Sequence, residues 1–342
     1  MTRKIIFSIV ALLASCFATL AQNHEIKRTV RPQTGGQLYD MMSNERWMRV
    51  SNLTIEGQID TTDLLFLKKI MSKSKRLTKI NMKNAHGIEQ LPAGIFEGSK
   101  WLKEITLPDS AVGISDKTFK NCVSLRKIVT SPKTTGIGKE AMMGCQELRE
   151  FKITGATDSI GSSAFEDCKK LRIIMIEHGL KSIGEKAFKN CELIENIALP
   201  DGVKEIGKEA FEGCSSLSNI TLQDGIKEIK DGTFRGCRKL AHIGTPGSLS
   251  KIGEEAMKDC ESLVKIKIGK KVKTIGEKAF EGCISMQQIK SNGTTPPICG
   301  QHTFDGLDRN CVLKVKAKSL SKYQVADGWN KIANIVGEEE KE

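Results

Sequence analysis

The chain has 342 residues, a formal net charge of +12, 27% charged residues and 5% aromatic residues. After residue 20 no stretch approaches the roughly 20 uncharged apolar residues of a membrane span, so the composition predicts a soluble body with a large core in one or two domains. Lysines alternate with acidic residues and aromatics are scarce. This pattern argues against a nucleic-acid-binding surface, which needs massed basic residues interleaved with stacking rings.

Residues 1–21 have the pattern of a secretory signal peptide. Arg3 and Lys4 precede an apolar run from Ile5 to Leu20, which matches the basic and hydrophobic regions of such a signal. The run of about 16 residues is shorter than a membrane span. We therefore expect an exported protein that is extracellular or held at the cell surface.

Two processing routes remain open at this N-terminus. Thr19, Leu20 and Ala21 offer the small residues that a signal peptidase reads, so that the mature chain would begin at Gln22. The sequence Leu13-Ala14-Ser15-Cys16 is also a lipobox, with Cys16 as the lipidated residue. The first route is favoured because the residues after Cys16 stay apolar, and the second would give an outer-membrane lipoprotein, the one membrane attachment that the sequence predicts.

Cysteines recur at a fixed interval through most of the chain, which we divide into an N-terminal segment and lead-in cap at 22–60, repeats at 61–294, and a C-terminal cap with a charged tail at 295–342. Eight cysteines are each 23 residues apart: Cys122, Cys145, Cys168, Cys191, Cys214, Cys237, Cys260 and Cys283. A fixed period in this range is typical of a solenoid in which each repeat is one coil. The sequence predicts about ten coils of 23–25 residues, with little regular helix except a capping helix at the C-terminal end.

The aligned coils share the unit Ile-Gly-x-x-Ala-Phe-x-x-Cys-x-x-Leu-x-x-Ile-x-Leu, with Met142 and Met257 in place of Phe in two coils. The last two apolar residues of the unit, such as Ile220 and Leu222, are two positions apart. In a strand both therefore point inward, while Asn219 and Thr221 point outward. Successive strands are expected to stack in parallel on one face at about 4.8 Å. The Phe column is expected to fill the core.

The glycine column is expected to be structural. It comprises Gly138, Gly161, Gly184, Gly207, Gly253 and Gly276, each at a turn after an inward Ile, where a residue without Cβ permits backbone conformations that others avoid. The cysteine column is expected to hold free buried thiols, because neighbouring Cβ atoms about 4.8 Å apart are outside the range that a disulfide favours. Cys299 and Cys311 are off the period, and a disulfide between them is a possible exception.

These columns resemble the BspA-type (Treponema-type) leucine-rich repeat, and the resemblance covers about residues 53–337. Leu53 to Gly57, followed by Asp63, Leu64 and Leu67, resemble the lead-in strand and short helix of such bacterial proteins. The segment from Thr295 through Tyr323, Trp329 and Ile335 resembles their C-terminal cap, with a helix at roughly 319–334. Lys314, Val315 and Lys316 stand where the family has Tyr-Val-Pro, so the final strand is expected to have a different turn. The resemblance implies surface exposure and protein or matrix binding.

The sequence has no pattern that is typical of a catalytic, cofactor-binding or metal-binding site. The five histidines are scattered: His24, His86, His178, His242 and His302. Cys299 and His302 supply too few ligands for zinc. The sequence has no phosphate-binding glycine loop and no Gly-x-Ser-x-Gly motif. We therefore expect no enzyme and no cofactor.

The outward strand positions form two columns that are the expected recognition surface of a solenoid. Ile173 and Met175 interrupt their polar character on one coil and are the expected contact centre. The candidate partner-binding residues are Ile173, Met175, Val129, Asn196, Asn219 and His242. We expect protein partners, such as host matrix or other bacterial surfaces, and no nucleic acid. The alternatives are a structural spacer of the cell envelope without a ligand and, remotely, a polysaccharide-acting enzyme.

Overall fold

The computed structural model describes residues 25–43 and 45–339. The predictions for residues 1–21, for Cys16 and for the last residues of the charged tail lie outside the described residues. The backbone winds into coils whose strands pair only in parallel with those of the neighbouring coils. One side of the coils, here named the first ladder, contains three hydrogen-bonded sheets. The first has the strands Lys27–Val30, Asn52–Ile55, Lys79–Asn81, Glu104–Thr106 and Lys127–Val129, and the second has Glu150–Ile153 and Ile173–Ile176. The third has Asn219–Thr221, His242–Gly244, Lys265–Ile268, Gln288–Ser291, Val312–Lys316 and Asn334–Glu338. A single bridge from Asn196 to Asn219 marks the remaining coil.

A second ladder of two-residue strands follows the first by about ten residues in each coil. Its strands are Gly136–Ile137, Ser159–Ile160, Ser182–Ile183, Glu205–Ile206, Glu228–Ile229, Lys251–Ile252, Thr274–Ile275 and Ile298–Cys299. Gly57–Gln58 pairs with Ala85–His86 nearer the N-terminus. Each pairing matches equivalent repeat positions, such as Ser159 with Ser182 and Ile160 with Ile183. The predicted 23-residue period is therefore the register of the central coils. The offset differs toward the two ends, where Asn52 pairs with Lys79 and Val312 pairs with Asn334.

Inward isoleucines hold the strands to the core. Ile174, Ile220 and Ile266 are buried, while the residues on either side of each are exposed. This alternation is the two-residue period of a strand that is covered on one face. The first ladder also extends beyond the predicted repeats, because Lys27–Val30 pairs with Asn52–Ile55 and Asn334–Glu338 pairs with Val312–Lys316.

The N-terminal end contains a helix of 13 residues, Thr61–Lys73, and a short helix, Leu38–Met42. Asp60 and Asp63 form a capping box, in which each side chain accepts a hydrogen bond from the other residue's backbone N–H. The buried carboxylate of Asp63 also accepts hydrogen bonds from the N–H groups of Gly36 and Leu38, at 2.8 and 2.9 Å. One carboxylate thus joins the start of the long helix to the preceding segment.

The glycine column is required by space and not by backbone conformation, so the predicted reason was wrong. The φ angle of Gly184 is not in the left-handed region. A Cβ on Gly184 would lie 2.6 Å from the backbone nitrogen of Ser162, and one on Gly207 would lie 2.3 Å from that of Glu185. Adjacent coils approach so closely here that only hydrogen fits.

Left-handed backbone occurs instead just before the cysteines. Asn121, Asp167, Asn190 and Asp259 have φ between 58° and 59°, and Gly144 occupies the equivalent position in another coil with φ 74°. Asn, Asp and Gly adopt this region at the least cost. Each cysteine of the column follows one of these three residue types. This pattern in the sequence indicates left-handed backbone, which was not predicted.

Phenylalanine rings and thiols fill the centre of the coils, as predicted. The rings of Phe165, Phe188 and Phe211 stack in sequence with centroids 5.2 and 5.4 Å apart. Met142 and Met257 take the same buried positions in their coils. All eight cysteines of the column are buried and free: Cys122, Cys145, Cys168, Cys191, Cys214, Cys237, Cys260 and Cys283.

The C-terminal cap differs from the prediction in its helix. A 3-10 turn at Ala317–Ser319 leads into the helix Leu320–Val325, and a second 3-10 turn covers Trp329–Lys331. Gly328 has φ 79°, so the backbone turns there and a continuous helix over 319–334 cannot form. Tyr323 and Trp329 are packing residues, as predicted: both are fully buried, and Trp329 Nε1 donates to the carbonyl of Pro297 at 2.8 Å.

The possible disulfide between Cys299 and Cys311 is not formed, and both are free thiols. Cys299 lies in the second ladder, where it pairs with Ile275. Cys311 directly precedes the strand Val312–Lys316 of the first ladder. The two cysteines therefore belong to different sides of their coil. The predicted strand at Lys314, Val315 and Lys316 is confirmed.

Candidate partner-binding face

The outward side chains of the first ladder form a face of two columns that runs over its three sheets. All six predicted partner-binding residues are exposed: Val129, Ile173, Met175, Asn196, Asn219 and His242. Parallel pairing sets the neighbours, since Glu150 lies beside Ile173 and Lys152 beside Met175. Neighbouring strands are about 4.8 Å apart.

Ile173 and Met175 project from the same strand, and 48% and 47% of their surfaces are exposed. Between them Ile174 points inward and is buried. The sequence Ile-Ile-Met-Ile therefore supplies one core residue and two surface residues that water solvates poorly. Their exposure is not a consequence of core packing, because the inward positions of this coil are already filled by Ile174, Leu171 and Phe165.

Val129 is in the column of Met175 but two coils away, and it is 41% exposed. Lys152 occupies the intervening coil, and its ammonium group lies 2.7 Å from Glu177. Hydrogen bonding from Lys152 lowers the pKa of the Glu177 carboxyl below its ordinary value. The three apolar residues thus flank one ion-paired lysine, and its aliphatic stem is the kind that covers apolar surface.

Asn196, Asn219 and His242 continue the column of Ile173 toward the C-terminus. Asn219 pairs in register with Asn196 and with His242. Ser218 Oγ donates to Asn196 Oδ1 at 3.2 Å, and Asn219 Nδ2 donates to Ser218 Oγ at 2.9 Å. The structure brings these polar residues together as one strip, while His242 remains three coils from Ile173. They offer neutral donors and acceptors beside the apolar pair.

Titratable side chains are spread along the coils. Within residues 25–43 and 45–339 no group of three His, Cys, Asp or Glu side chains is placed to hold a metal ion. His302 Nδ1 lies 2.6 Å from Asp305 Oδ2 on an exposed turn, away from the other histidines in sequence. The same part of the chain has no helix long and apolar enough to cross a membrane.

A cleft of about 750 Å³ lies at the C-terminal end of the same face. Lys290, Lys314 and Glu338 line it, and Glu338 forms ion pairs with both lysines at 2.7 and 2.8 Å. Hydrogen bonds from Lys290 and Lys314 lower the pKa of Glu338 to about 2. The prediction missed this cleft because the last strand, Asn334–Glu338, was not expected to continue the ladder.

The model of the BspA type leucine rich repeat region matches residues 68–195 and 181–308, with six copies. The chain belongs to the BspA-type leucine-rich repeat family. The matched residues cover well over half of the sequence. The repeat scaffold is therefore that of bacterial surface leucine-rich repeat proteins, a family of non-enzymatic repeat proteins.

Solved structures of bacterial leucine-rich repeat proteins resemble this chain. The T. pallidum leucine-rich repeat protein is 32% identical over 47% of this chain and 77% of its own, with a TM-score of 0.45. One from Bacteroides ovatus is 23% identical over 78% and 85%, with a TM-score of 0.35. One from Eubacterium ventriosum is 18% identical over 82% and 90%, with a TM-score of 0.48. No curated protein matches the sequence.

Proposed function

We propose that this BspA-type protein is an exported binding and adhesion scaffold that recognises protein partners through the outward face of its first ladder, with Ile173 and Met175 at the contact centre. The observation that carries the proposal is the exposure of this apolar pair on one strand of a face made mostly of polar side chains. Apolar residues in the middle of a polar surface are typical of contact centres, where a partner removes them from water.

Two features support a protein as the partner. The face is wide, since two columns run over many coils, and the concave or flat faces of solenoids suit extended contacts. The neighbouring strip of Asn196 and Asn219 provides hydrogen-bond donors and acceptors like those at the rim of protein interfaces. The proposal also holds that the chain acts by binding and not by turnover, as its family membership suggests.

A matched pair of variants tests the contact centre. Ile173→Ser with Met175→Ser removes both apolar side chains from the face, whereas Ile284→Ser removes one that is 56% exposed outside the first ladder. Each protein is titrated onto immobilised purified matrix proteins and onto intact bacterial cells by biolayer interferometry. The proposal expects saturable binding that the double variant loses and the control keeps. Absence of saturable binding by the native chain would favour the spacer, and equal binding by the folded double variant would refute the contact centre.

Export and surface location also belong to the proposal. The supporting features are the signal-like residues 1–21 and the family, whose members are typically bacterial surface proteins. The intact mass of the protein from its native cells tests both routes. A mature N-terminus at Gln22 indicates free export, an acylated Cys16 indicates a lipoprotein, and an unprocessed chain retained in the cytoplasm would contradict the proposal.

A further inference from the structure

Five lysines occur within nine residues of a single coil: Lys265, Lys267, Lys270, Lys271 and Lys273, here named the lysine coil. All five are exposed. Lys265 and Lys267 point outward from the strand Lys265–Ile268, and the other three follow on the turn that leads to Thr274–Ile275. The lysines thus line one path along the coil, with a contour of about 25 Å.

The described residues do not compensate the charges of the lysine coil, and what distinguishes it is that five unpaired lysines lie together. Several lysines elsewhere pair with a carboxylate of a neighbouring coil, as Lys208 does with Asp231 at 2.8 Å and Lys251 with Glu228 at 2.7 Å. Among the described residues no carboxylate oxygen lies within 4.0 Å of any ammonium group of the lysine coil. Uncompensated like charges on neighbouring residues raise the local potential and attract anions.

The flanking coils strengthen this separation of charge. Residues 242–253 and 288–300 hold the equivalent positions on either side and contain no Asp or Glu, and neither do residues 265–276 themselves. The acidic residues of these coils lie on the opposite half, where Glu255 and Glu281 pair with Lys258. These three adjacent segments therefore contribute no carboxylate of their own to the surface that they form.

From this arrangement we propose that the lysine coil binds a linear polysaccharide carrying sulfate esters. Lysine-rich segments of this length are typical of heparin-like sites. The surface formed by 242–253, 265–276 and 288–300 contains no Phe, Tyr or Trp and no arginine. The lack of rings removes the stacking platforms that single-stranded nucleic acids use, and the lack of arginine removes the planar forks that suit carboxylates.

The direction of the polymer follows from the neighbouring ion pairs. Lys251 and Lys290, which flank the lysine coil along the solenoid, are already engaged by Glu228 and Glu338. The uncompensated charges therefore continue along the strand and its turn and not along the stack. A flexible chain with repeated sulfates matches such a line of mobile ammonium groups. This surface is four coils from Ile173 and Met175, about 19 Å along the ladder, and is independent of the proposed protein contact.

The test compares two variants with the same loss of net charge. In the first variant Gln replaces Lys267, Lys270, Lys271 and Lys273. In the control variant Gln replaces four exposed lysines of other coils: Lys100, Lys103, Lys127 and Lys133. Binding to heparin and to chemically desulfated heparin is measured by calorimetry over a range of salt concentrations, with circular dichroism to verify folding.

We expect the first variant to bind heparin roughly tenfold or more weakly, with a shallower dependence on salt, and the control to bind like the native chain. Desulfated heparin should bind far more weakly than heparin to the native protein. Equal losses in both variants would overturn the proposal, because they would mean that net charge alone attracts the polymer. Stronger binding of duplex DNA or of anionic lipid vesicles than of heparin would overturn the choice of ligand.

Discussion

Cys191 Sγ donates a hydrogen bond to the carbonyl oxygen of Phe165 at 3.1 Å, across 26 residues of sequence. The same bond recurs from Cys214 to Phe188 and from Cys260 to Phe234. Each of these carbonyls also accepts from the backbone N–H of a cysteine in its own coil, as Phe165 O does from Cys168 N at 3.1 Å. The thiol of the next coil therefore adds a second hydrogen bond to the carbonyl, and this second bond crosses between coils. The cysteine column is a set of links between coils, and it needs no disulfide.

The thiols of this column should not react with alkylating reagents in the native protein. Burial raises the pKa of Cys122 and of Cys283 to about 12, and the thiolate is the reactive species. At pH 8 we expect iodoacetamide to leave all eight column cysteines unmodified in the folded chain and to modify all eight after denaturation. Peptide mass spectrometry reads the result, and rapid labelling of Cys191 in the native protein would contradict the packing.

The glycine column predicts a sharp difference between two Gly→Ala substitutions. A Cβ at Gly184 would meet the backbone of Ser162 at 2.6 Å, whereas a Cβ at Gly247 would meet nothing within 4 Å. We expect Gly184→Ala to lower the free energy of unfolding by about 1–3 kcal/mol and Gly247→Ala to leave it unchanged or raise it by up to about 1 kcal/mol. Urea denaturation measures both, and similar values would show that the coils are not in close contact at this column.

The left-handed residues before the cysteines predict a second contrast at a single position. Asn121 has φ 58°, a region that β-branched residues enter with difficulty. Asn121→Val should destabilise the protein by about 1–2 kcal/mol, while Asn121→Gly should be nearly neutral. The midpoints of urea unfolding compare the two variants. A valine tolerated as well as glycine would contradict the assigned backbone conformation.

Removal of one stacked ring should cost much more than removal of an exposed side chain. Phe188 is fully buried between Phe165 and Phe211. Phe188→Ala is expected to reduce the free energy of unfolding by about 3–5 kcal/mol because it leaves a cavity. Ile284→Ala, at an exposed position, should change it by less than about 0.5 kcal/mol. A loss below about 1 kcal/mol at Phe188 would show that the ring is not a core residue.

Acid should remove part of the stability that ion pairs between coils supply. A hydrogen bond from Lys120 lowers the pKa of Glu140 in the folded state. A carboxyl with a lowered folded-state pKa stabilises the fold above its ordinary pKa of about 4.3, and this contribution is lost as the pH falls through the folded-state value. At pH 7 the melting temperature of the native chain should therefore exceed that of Glu140→Gln, and the difference should disappear below about pH 4. A difference in melting temperature that grows on acidification would contradict the lowered pKa of Glu140.

Much of the core could be predicted from the sequence because a 23-residue period and a two-residue strand alternation act together. Ile220 and Phe211 were placed inside by these two rules, and Asn219 was placed outside. Contacts between coils were harder to predict from the sequence. The close approach at Gly184 depends on the distance between two backbones, and the period alone does not determine this distance.

The remaining differences have local causes. The cap helix ends at Val325 because Ala326 adopts an extended conformation, and the chain turns again at Gly328, whose φ is 79°. Neither backbone conformation was predicted from the sequence. The exposure of Ile173 and Met175 followed from the alternation and was predicted. The isolation of the lysine coil was not predicted, since it depends on which carboxylates of neighbouring coils come within reach.

Removal of one whole coil tests the central claim most directly. Residues 197–219 are deleted so that Asn196 joins Ile220, which preserves the 23-residue phase, and a deletion of residues 197–207 serves as the out-of-phase control. Because each coil contacts only its neighbours, the in-phase deletion should give a cooperatively folded protein whose maximum dimension in small-angle scattering is about 5 Å shorter, and the control should not fold. An in-phase deletion that fails to fold, or a control that folds equally well, would contradict the stacked-coil account.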